Sequence, residues 1–210
     1  MSFDRVAPFY RRIERVVFGG QLQQARLAFV RDLPTPHRVL IVGEGDGRFL
    51  FEFVRLHPGA RVDCVDASAR MIALARSRLG AGSEVNFIRT DLREFSFETG
   101  CYDLVVTHFF LDCFAGAALR EVVQRLAGAG TPEALWLLAD FRVPEAGWQR
   151  FHARFWIRAM YLFFRLASRL EARRLDDPSP FLRENGFACK RERTSCFGMI
   201  QSSVWQRPAE

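Results

Sequence analysis

The chain has 210 residues, 49% of them hydrophobic and 26% charged, a composition that suits one folded domain and excludes a disordered chain. Its net charge of +6 is carried almost wholly by arginine, since Lys190 is the one lysine, and so mild a basic balance does not by itself call for nucleic acid. The five cysteines (Cys64, Cys101, Cys113, Cys189, Cys196) show neither a C-x-x-C pair nor zinc-ligand spacing, and no uncharged apolar run reaches the roughly 18 residues of a membrane span, so no metal site and no spanning helix are expected.

Val6, Phe9, Ile13, Val16 and Val17 recur at near-helical spacing, which predicts one or two helices over residues 4–32, broken at Gly19-Gly20. The opening Met1-Ser2-Phe3-Asp4-Arg5 lacks the apolar core of a secretory leader, so the chain reads as cytoplasmic with reduced thiols. Pro34-Thr35-Pro36 forces an extended connection. The apolar run 38–42 reads as a buried parallel strand, followed by the loop Gly43-Glu44-Gly45-Asp46-Gly47 and a helix over 48–57. Further strands are predicted at 61–66, 84–88, 102–107 and 134–140. Helices fall between them at 69–79, N-capped by Ser68, and at 116–126.

Beyond Asp140 the pattern changes. Residues 144–147 break it, and an arginine- and aromatic-rich helix spans 148–174 up to Asp176-Asp177-Pro178. A short helix over 180–185 leads to strand-like segments at 187–194 and 197–205, whose pairing as a hairpin adds one antiparallel edge strand to a parallel sheet. The expectation is one α/β domain with an N-terminal helical lid (1–36), a core (37–142), a helical insertion (143–178) and a C-terminal helix and hairpin (179–210).

The loop Gly43-Glu44-Gly45-Asp46-Gly47 joins a strand to a helix N-terminus, where glycines permit a tight turn and close backbone approach. By itself it fits a dinucleotide site or a bare strand–helix turn equally. Asp66 ends the next strand about twenty residues on, where a carboxylate accepts hydrogen bonds from ribose hydroxyls, as NAD enzymes also arrange. Asp91, ending the third strand, suits an adenine amine, with Leu92 covering the ring and Met71 a soft contact to it.

Taken in order, the glycine loop, Asp66-Ala67-Ser68 through Met71, Thr90-Asp91-Leu92 and Tyr102-Asp103-Leu104-Val105-Val106 resemble the successive motifs of the class I S-adenosylmethionine (SAM)-dependent methyltransferases. That resemblance implies a Rossmann-like, seven-stranded, mostly parallel sheet with its last strand antiparallel, helices on both faces and SAM laid across the strand C-termini. It implies SAM contacts from Gly43, Glu44, Gly45, Gly47, Asp66, Ala67, Met71, Asp91, Leu92 and Thr107. Ile41 departs from the pattern by standing where the family commonly has an acidic residue, which leaves Glu44 to face the SAM ammonium group. The flanks resemble the ubiquinone/menaquinone C-methyltransferases: Phe3-Asp4-Arg5-Val6-Ala7-Pro8-Phe9-Tyr10 at the start, and Asp140-Phe141, Pro144, Gly147-Trp148 and Leu182 to Gly186-Phe187 later. By that resemblance Tyr10 lies on the lid near the methionine end of SAM.

Thr107-His108-Phe109-Phe110-Leu111-Asp112-Cys113-Phe114 differs from the quinone enzymes, so their substrate does not carry over. His108 and Asp112 are four apart; on a helix they share a face as base and orienter, the other reading being a connection with a packed histidine. Phe109, Phe110 and Phe114 suit an apolar pocket for an aromatic or lipid-like acceptor. In the 148–174 helix, Arg150, Arg154, Arg158, Arg165, Arg169 and Arg173 share one face and Phe155, Trp156, Met160, Phe163, Phe164 and Leu170 crowd the opposite side. That pattern reads as a lid over an apolar substrate or as a peripheral contact with an anionic membrane; no nucleic acid is expected, because no single-strand platform motif is visible. The leading function is methyl transfer from SAM to a small acceptor. A non-catalytic SAM-binding accessory protein, a protein or nucleic-acid methyltransferase and an NAD-dependent reductase are the alternatives.

Overall fold

The computed structural model describes residues 18–80, 84–92, 95–168 and 174–208, with the backbone alone over 159–168. The short apolar runs become strands because both their faces are covered. β1 (Arg38–Val42), β2 (Arg61–Asp66), β3 (Val85–Arg89), β4 (Tyr102–His108) and β5 (Gly130–Phe141) run parallel, and β6 (Ala188–Ser195) and β7 (Ile200–Gln206) form a hairpin. Among the described residues these strands make one seven-stranded sheet in the order β3-β2-β1-β4-β5-β7-β6. The chain builds outward from β1 to β3 and then crosses back to β4. That reversal opens a crevice between the C-terminal ends of β1 and β4, the place where doubly wound sheets bind ligands.

The mostly parallel sheet is the one the sequence implies, with a difference in detail at its far side. The reversed strand is β7, which pairs antiparallel with β5 and sits one place in from the edge; β6 is outermost. The reason lies in the side chains. β7 buries Ile200, Val204 and Trp205, whereas β6 exposes nearly all of its residues, Lys190, Arg191, Glu192 and Arg193 among them. A charged, exposed strand is suited to an edge, where it blocks pairing with other chains.

Helices cover both faces. α1 (Gln21–Arg26), α2 (Arg48–Leu56) and α3 (Ala69–Leu79) lie on one side, and α4 (Gly116–Ala129) and α6 (Ser179–Glu184) on the other. Phe49, Leu50 and Phe53 of α2 pack against Val39, Ile41, Leu104 and Val106; Leu119, Val122, Val123 and Leu126 of α4 pack against Leu40, Val105 and Trp136. The fully buried Trp136 and Trp205 satisfy their indole N–H groups on Thr107 Oγ1 and Ser203 Oγ, each at 2.8 Å. All five cysteines are free thiols, with Cys64 buried in β2.

α5 (Trp148–Ser168) leaves the C-terminal end of β5 and packs Ala153 and Ile157 against Phe141, Met199 and Leu22 of α1. Phe155 and Trp156, read from sequence as lying on the side away from the arginines, are exposed rather than packed into the core. The inner stripe is narrow and made of the smaller Ala153 and Ile157. The helices expected before residue 18 lie outside the described residues.

Candidate active site

Everything that the sequence marks for cofactor contact, except Tyr10, arrives at the C-terminal edge of β1, β2, β3 and β4; Tyr10 lies outside the described residues. β1 ends at Val42, and Gly43 continues the pairing by donating its N–H to the Val65 carbonyl at 2.9 Å. The loop then needs glycine for two separate reasons. Gly43 has φ +68, and a Cβ there would stand 2.3 Å from Phe110 Cδ2; Gly47 has φ +80, and a Cβ there would stand 2.6 Å from Ala75 Cα on α3. Asp46 locks the turn from outside through Arg48 (2.9 Å) and Arg78 (3.3 Å).

Asp66 joins the loop to the next helix. Its Oδ1 accepts from Ser68 N–H at 2.8 Å and its Oδ2 from Gly45 N–H at 3.4 Å, so the half-buried carboxylate is aimed along the crevice mouth. Ser68 caps α3 as its sequence predicts, its Oγ accepting from Met71 N–H at 3.1 Å. Ala67 is partly exposed beside Asp66, and Met71 is buried. Asp91 is partly exposed just past β3, and Leu92 behind it is buried, its carbonyl held by Arg125 at 3.0 Å. This edge has the parts a nucleoside needs: bare backbone at the loop, a carboxylate for vicinal hydroxyls, and apolar side chains with a second carboxylate for a base.

Two positions, Ile41 in β1 and Glu44 in the loop, differ from the simplest picture. Ile41 is sealed in the core under α2 and offers the loop no polar contact. Glu44 turns its Oε1 to the N–H of Leu50, 2.9 Å away, and so caps α2, whose own N-cap is Gly47. Burial pushes the Glu44 carboxyl up to about 7, with the Leu50 N–H and the Arg26 charge offsetting part of the cost. Thr107 is fully buried with its hydroxyl committed to Trp136, so its side chain serves the sheet.

The helix that would set His108 and Asp112 on one face does not form. β4 runs through His108, Phe109 takes φ +52, and a 3-10 turn covers Leu111–Cys113. His108 is buried edge-on against Phe49, ring centroids 4.5 Å apart, and its Nδ1 has no hydrogen-bond partner. Burial, with the Arg26 charge, holds its pKa well below the usual imidazole value. Asp112 turns instead to Asp140 at the end of β5. Burial pushes the Asp112 carboxyl up to about 6, while the Cys113 thiol lies 3.6 Å from its Oδ1. Asp140 is raised well above the carboxylate range by burial and then by the Asp112 charge, the backbone N–H groups of Asp112, Phe141 and Leu111 offsetting part of it. Two buried carboxyls whose charges interact titrate as a pair, and the protonated form of each is favoured.

The three phenylalanines divide. Phe109 packs on Phe141 at 5.1 Å toward α1, whereas Phe110 and Phe114 pack together at 5.3 Å on the opposite side, Phe110 lying over Gly43. Only Phe110 and Phe114 therefore share a wall, between the glycine loop and the Asp112 turn. Arg26 and Asp140 are the site residues that sequence reasoning missed. Arg26 is a buried cation on α1, its guanidinium 5.1 Å from the Phe109 ring centre and its charge felt by Glu44 and His108. A lone polar residue ending an apolar run, as Asp140 does, was the available signal for the second.

The architecture is thus a Rossmann-like sheet with a glycine loop, two strand-end carboxylates and a pair of buried acidic residues, Asp112 and Asp140, near its switch point. Residues 39–133 match the family model of a methyltransferase domain. A malonyl-[acyl-carrier protein] O-methyltransferase of Legionella pneumophila is 31% identical over 106 residues, 50% of this chain and 36% of that protein. A demethylmenaquinone methyltransferase of Chlamydia pneumoniae is 27% identical over 109 residues, 52% of this chain and 47% of that protein. The chain thus spans between a third and a half of the length of these curated relatives. Among solved structures, the magnesium protoporphyrin IX methyltransferase of Synechocystis superposes with a TM-score of 0.69 at 18% identity, over 98% of this chain and 97% of that one. The 1,6-didemethyltoxoflavin-N1-methyltransferase of Burkholderia thailandensis gives 0.68 at 16% identity, over 97% and 85%. Residues 39–133 are thus similar to a methyltransferase domain, and the seven-stranded fold is the one these methyltransferase structures share.

Proposed function

We propose that this protein transfers a methyl group from SAM to a small, apolar or aromatic acceptor. The observation that carries the reading is the convergence of the Gly43-to-Gly47 loop, Asp66 and Asp91 on one edge of the crevice, with buried Asp112 and Asp140 at the ends of β4 and β5 beside it. In this reading Asp66 accepts from the ribose hydroxyls and Asp91 from the adenine amine. Met71 and Leu92 contact the base, and Gly43, Gly45, Gly47 and Ala67 line the nucleoside with bare or nearly bare backbone. The methionine end carries an ammonium and a carboxylate; Glu44, whose ionised form the ammonium would favour, and Arg26 face them with opposite signs. Thr107 contributes its backbone; Tyr10, which the family resemblance assigns to that end, lies outside the described residues.

A sulfonium already holds an excellent leaving group, so the protein has to align acceptor, methyl and sulfur and to exclude water. Phe110 and Phe114 form the apolar wall for the acceptor. Where the acceptor loses a proton, we assign its removal to Asp112, with protonated Asp140 nearby; a carboxyl at about 6 is matched to work near neutral pH. His108, the other candidate base, is neutral and packed under α2, and we assign it to positioning Phe49 and the strand end.

Calorimetry with SAM, S-adenosylhomocysteine and NAD tests the cofactor, and binding of NAD but of neither adenosyl compound overturns the proposal. Turnover on quinol, phenol and amine acceptors tests the rest. Asp112→Asn should lower the rate constant by about 10²-fold or more at unchanged SAM affinity and remove the rise in rate through pH 6. A second reading, a SAM-binding accessory protein, is favoured by Ile41 at the place of the usual acid. SAM binding without turnover on any acceptor class would select it.

A further inference from the structure

α5 is apolar on two sides. Its inner stripe, Ala153 and Ile157, is covered by Phe141 and Met199, but its outer face carries Trp148, Phe151, Phe155 and Trp156, which are 39–74% exposed. Trp148, Phe151 and Phe155 follow one another at three- and four-residue spacing and so stand in a row. Scattered exposed aromatics need no explanation, but a contiguous patch of this size marks an interaction surface.

A second element joins the patch. The β6–β7 turn holds Cys196 at φ +51 and Phe197 at φ +56, a backbone region that L side chains rarely adopt, and the Phe197 ring is 59% exposed. That ring lies 5.6 Å from Trp148 and 6.0 Å from His152, while the Trp156 indole N–H donates to His152 Nε2 at 3.1 Å. Two elements far apart in sequence therefore present one aromatic surface, one of them at the cost of backbone strain.

Charge identifies the occupant. Arg150, Arg154 and Arg158 are exposed on this helix, and residues 148–168 contain no Asp or Glu. Aromatic side chains beside arginines are the make-up of a helix that lies in the plane of an anionic bilayer, with rings at the acyl boundary and guanidinium groups at the phosphates. Two-fold pairing of this face with a second copy would bring two sets of arginines into one interface with no carboxylate on either helix over 148–168 to offset them, an unfavourable contact. No described helix is long and apolar enough to cross a membrane, so the contact is with the surface.

We propose that Trp148, Phe151, Phe155, Trp156 and Phe197, with the flanking arginines, form a docking face for an anionic membrane surface. Because α5 follows the strand end that carries Asp140, docking brings that end of the sheet to the bilayer, and the acceptor class becomes a lipid-like molecule dissolved there. That last step rests on the methyltransferase reading; the docking does not.

Vesicles of equal phosphatidylcholine and phosphatidylglycerol, with phosphatidylcholine alone as control, test the face at low and physiological ionic strength. Trp136 and Trp205 are fully buried, so a blue shift and quenching by brominated lipid report on Trp148 and Trp156. The expected result is co-sedimentation with the anionic vesicles, a blue shift, and weakening by salt. A Phe151→Ser, Phe155→Ser variant should partition about tenfold or more weakly while binding SAM as the parent does. Arg154→Glu with Arg158→Glu should lose the preference for anionic lipid. Absence of binding to anionic vesicles at low salt overturns the proposal, as does equal binding by the double phenylalanine variant. A blue shift that grows with protein concentration in the absence of vesicles overturns it in favour of a second copy. Failure of SAM to bind the parent protein would sink the methyltransferase reading and leave the docking result standing.

Discussion

Gly43 and Gly45 share the same backbone handedness but not the same surroundings. Both have positive φ, yet a Cβ at Gly45 meets open space while one at Gly43 runs into the Phe110 ring. Gly45→Ala should therefore cost about 1–2 kcal/mol, the price of the left-handed conformation alone. Gly43→Ala should cost roughly 1–3 kcal/mol more, because Phe110 must move, and it should weaken SAM binding further. Denaturant unfolding with SAM calorimetry on both variants checks this, and equal losses would contradict the geometry. Glu44 sets a pH dependence. Its folded pKa of about 7 lies above the ordinary 4.5, so the fold favours the protonated form. Stability from this group is complete below about pH 4.5 and declines as pH rises through 7, by on the order of 3 kcal/mol at most. Glu44→Gln keeps an acceptor for Leu50 N–H and should flatten part of that decline, leaving the rest to Asp112 and Asp140, which shift in the same direction. Unfolding curves of the parent and Glu44→Gln from pH 4.5 to 8 measure it, because His108, held below its ordinary value, pulls the parent the other way up to about 6.5. An identical pH dependence of the two would refute the assignment. Asp66, Ser68 and Asp91 are legible in the sequence because strand ends are legible. Arg26 and Asp140 are not, because periodicity tells which apolar residues are buried and says nothing about which charges go in with them.

The elements were mostly readable from hydrophobic period and glycine punctuation, and the failure at 108–114 has a definite cause. His108 still pairs with Ala139, so the strand runs one residue further than its apolar run. Phe109 then reverses handedness, and α4 starts only at Gly116, after an N-cap residue, Ala115, that makes no side-chain cap bond. The missing cap comes from elsewhere. Asp176, just before α6, accepts from Gly116 N–H at 2.8 Å and also pairs with Arg174 at 2.7 Å. In the sequence Asp176 is visible only as a helix stop, since a cap contributed across 60 residues leaves no local pattern. Asp176→Ala should cost about 1 kcal/mol, and Asp176→Asn, which keeps the acceptor, should recover most of it. Equilibrium unfolding of the two variants decides; equal stability of the alanine variant and the parent would show that water replaces the cap.

For the molecule as a whole, strand order was harder to read than strand identity. Nothing local in 187–206 says which hairpin strand joins β5; burial of Val204 and Trp205 against exposure on β6 decides it after the fact. That arrangement matters for the lid. α1 is tied to the hairpin by Ser202 Oγ on the Ala25 carbonyl (2.9 Å) and to α2 by Gln23 Nε2 on the Arg48 carbonyl (3.2 Å). It therefore bridges the glycine-loop helix and the far side of the sheet, across the crevice, with Arg26 as its inward charge. A ligand held by the loop and α1 together should stabilise the folded state and tighten that bridge. SAM at about 100 times its Kd should contribute about 2.7 kcal/mol to stability. Amide exchange in α1, the 43–47 loop and the start of α2 should slow most, since these opening motions need less than global unfolding, while central β5 changes only with global stability. Thermal unfolding and hydrogen-exchange mass spectrometry with SAM, and with NAD at the same concentration, make the comparison. Slowing in the loop without slowing in α1 would mean that the helix is packing only, and that Arg26 does not take part in holding the methionine end.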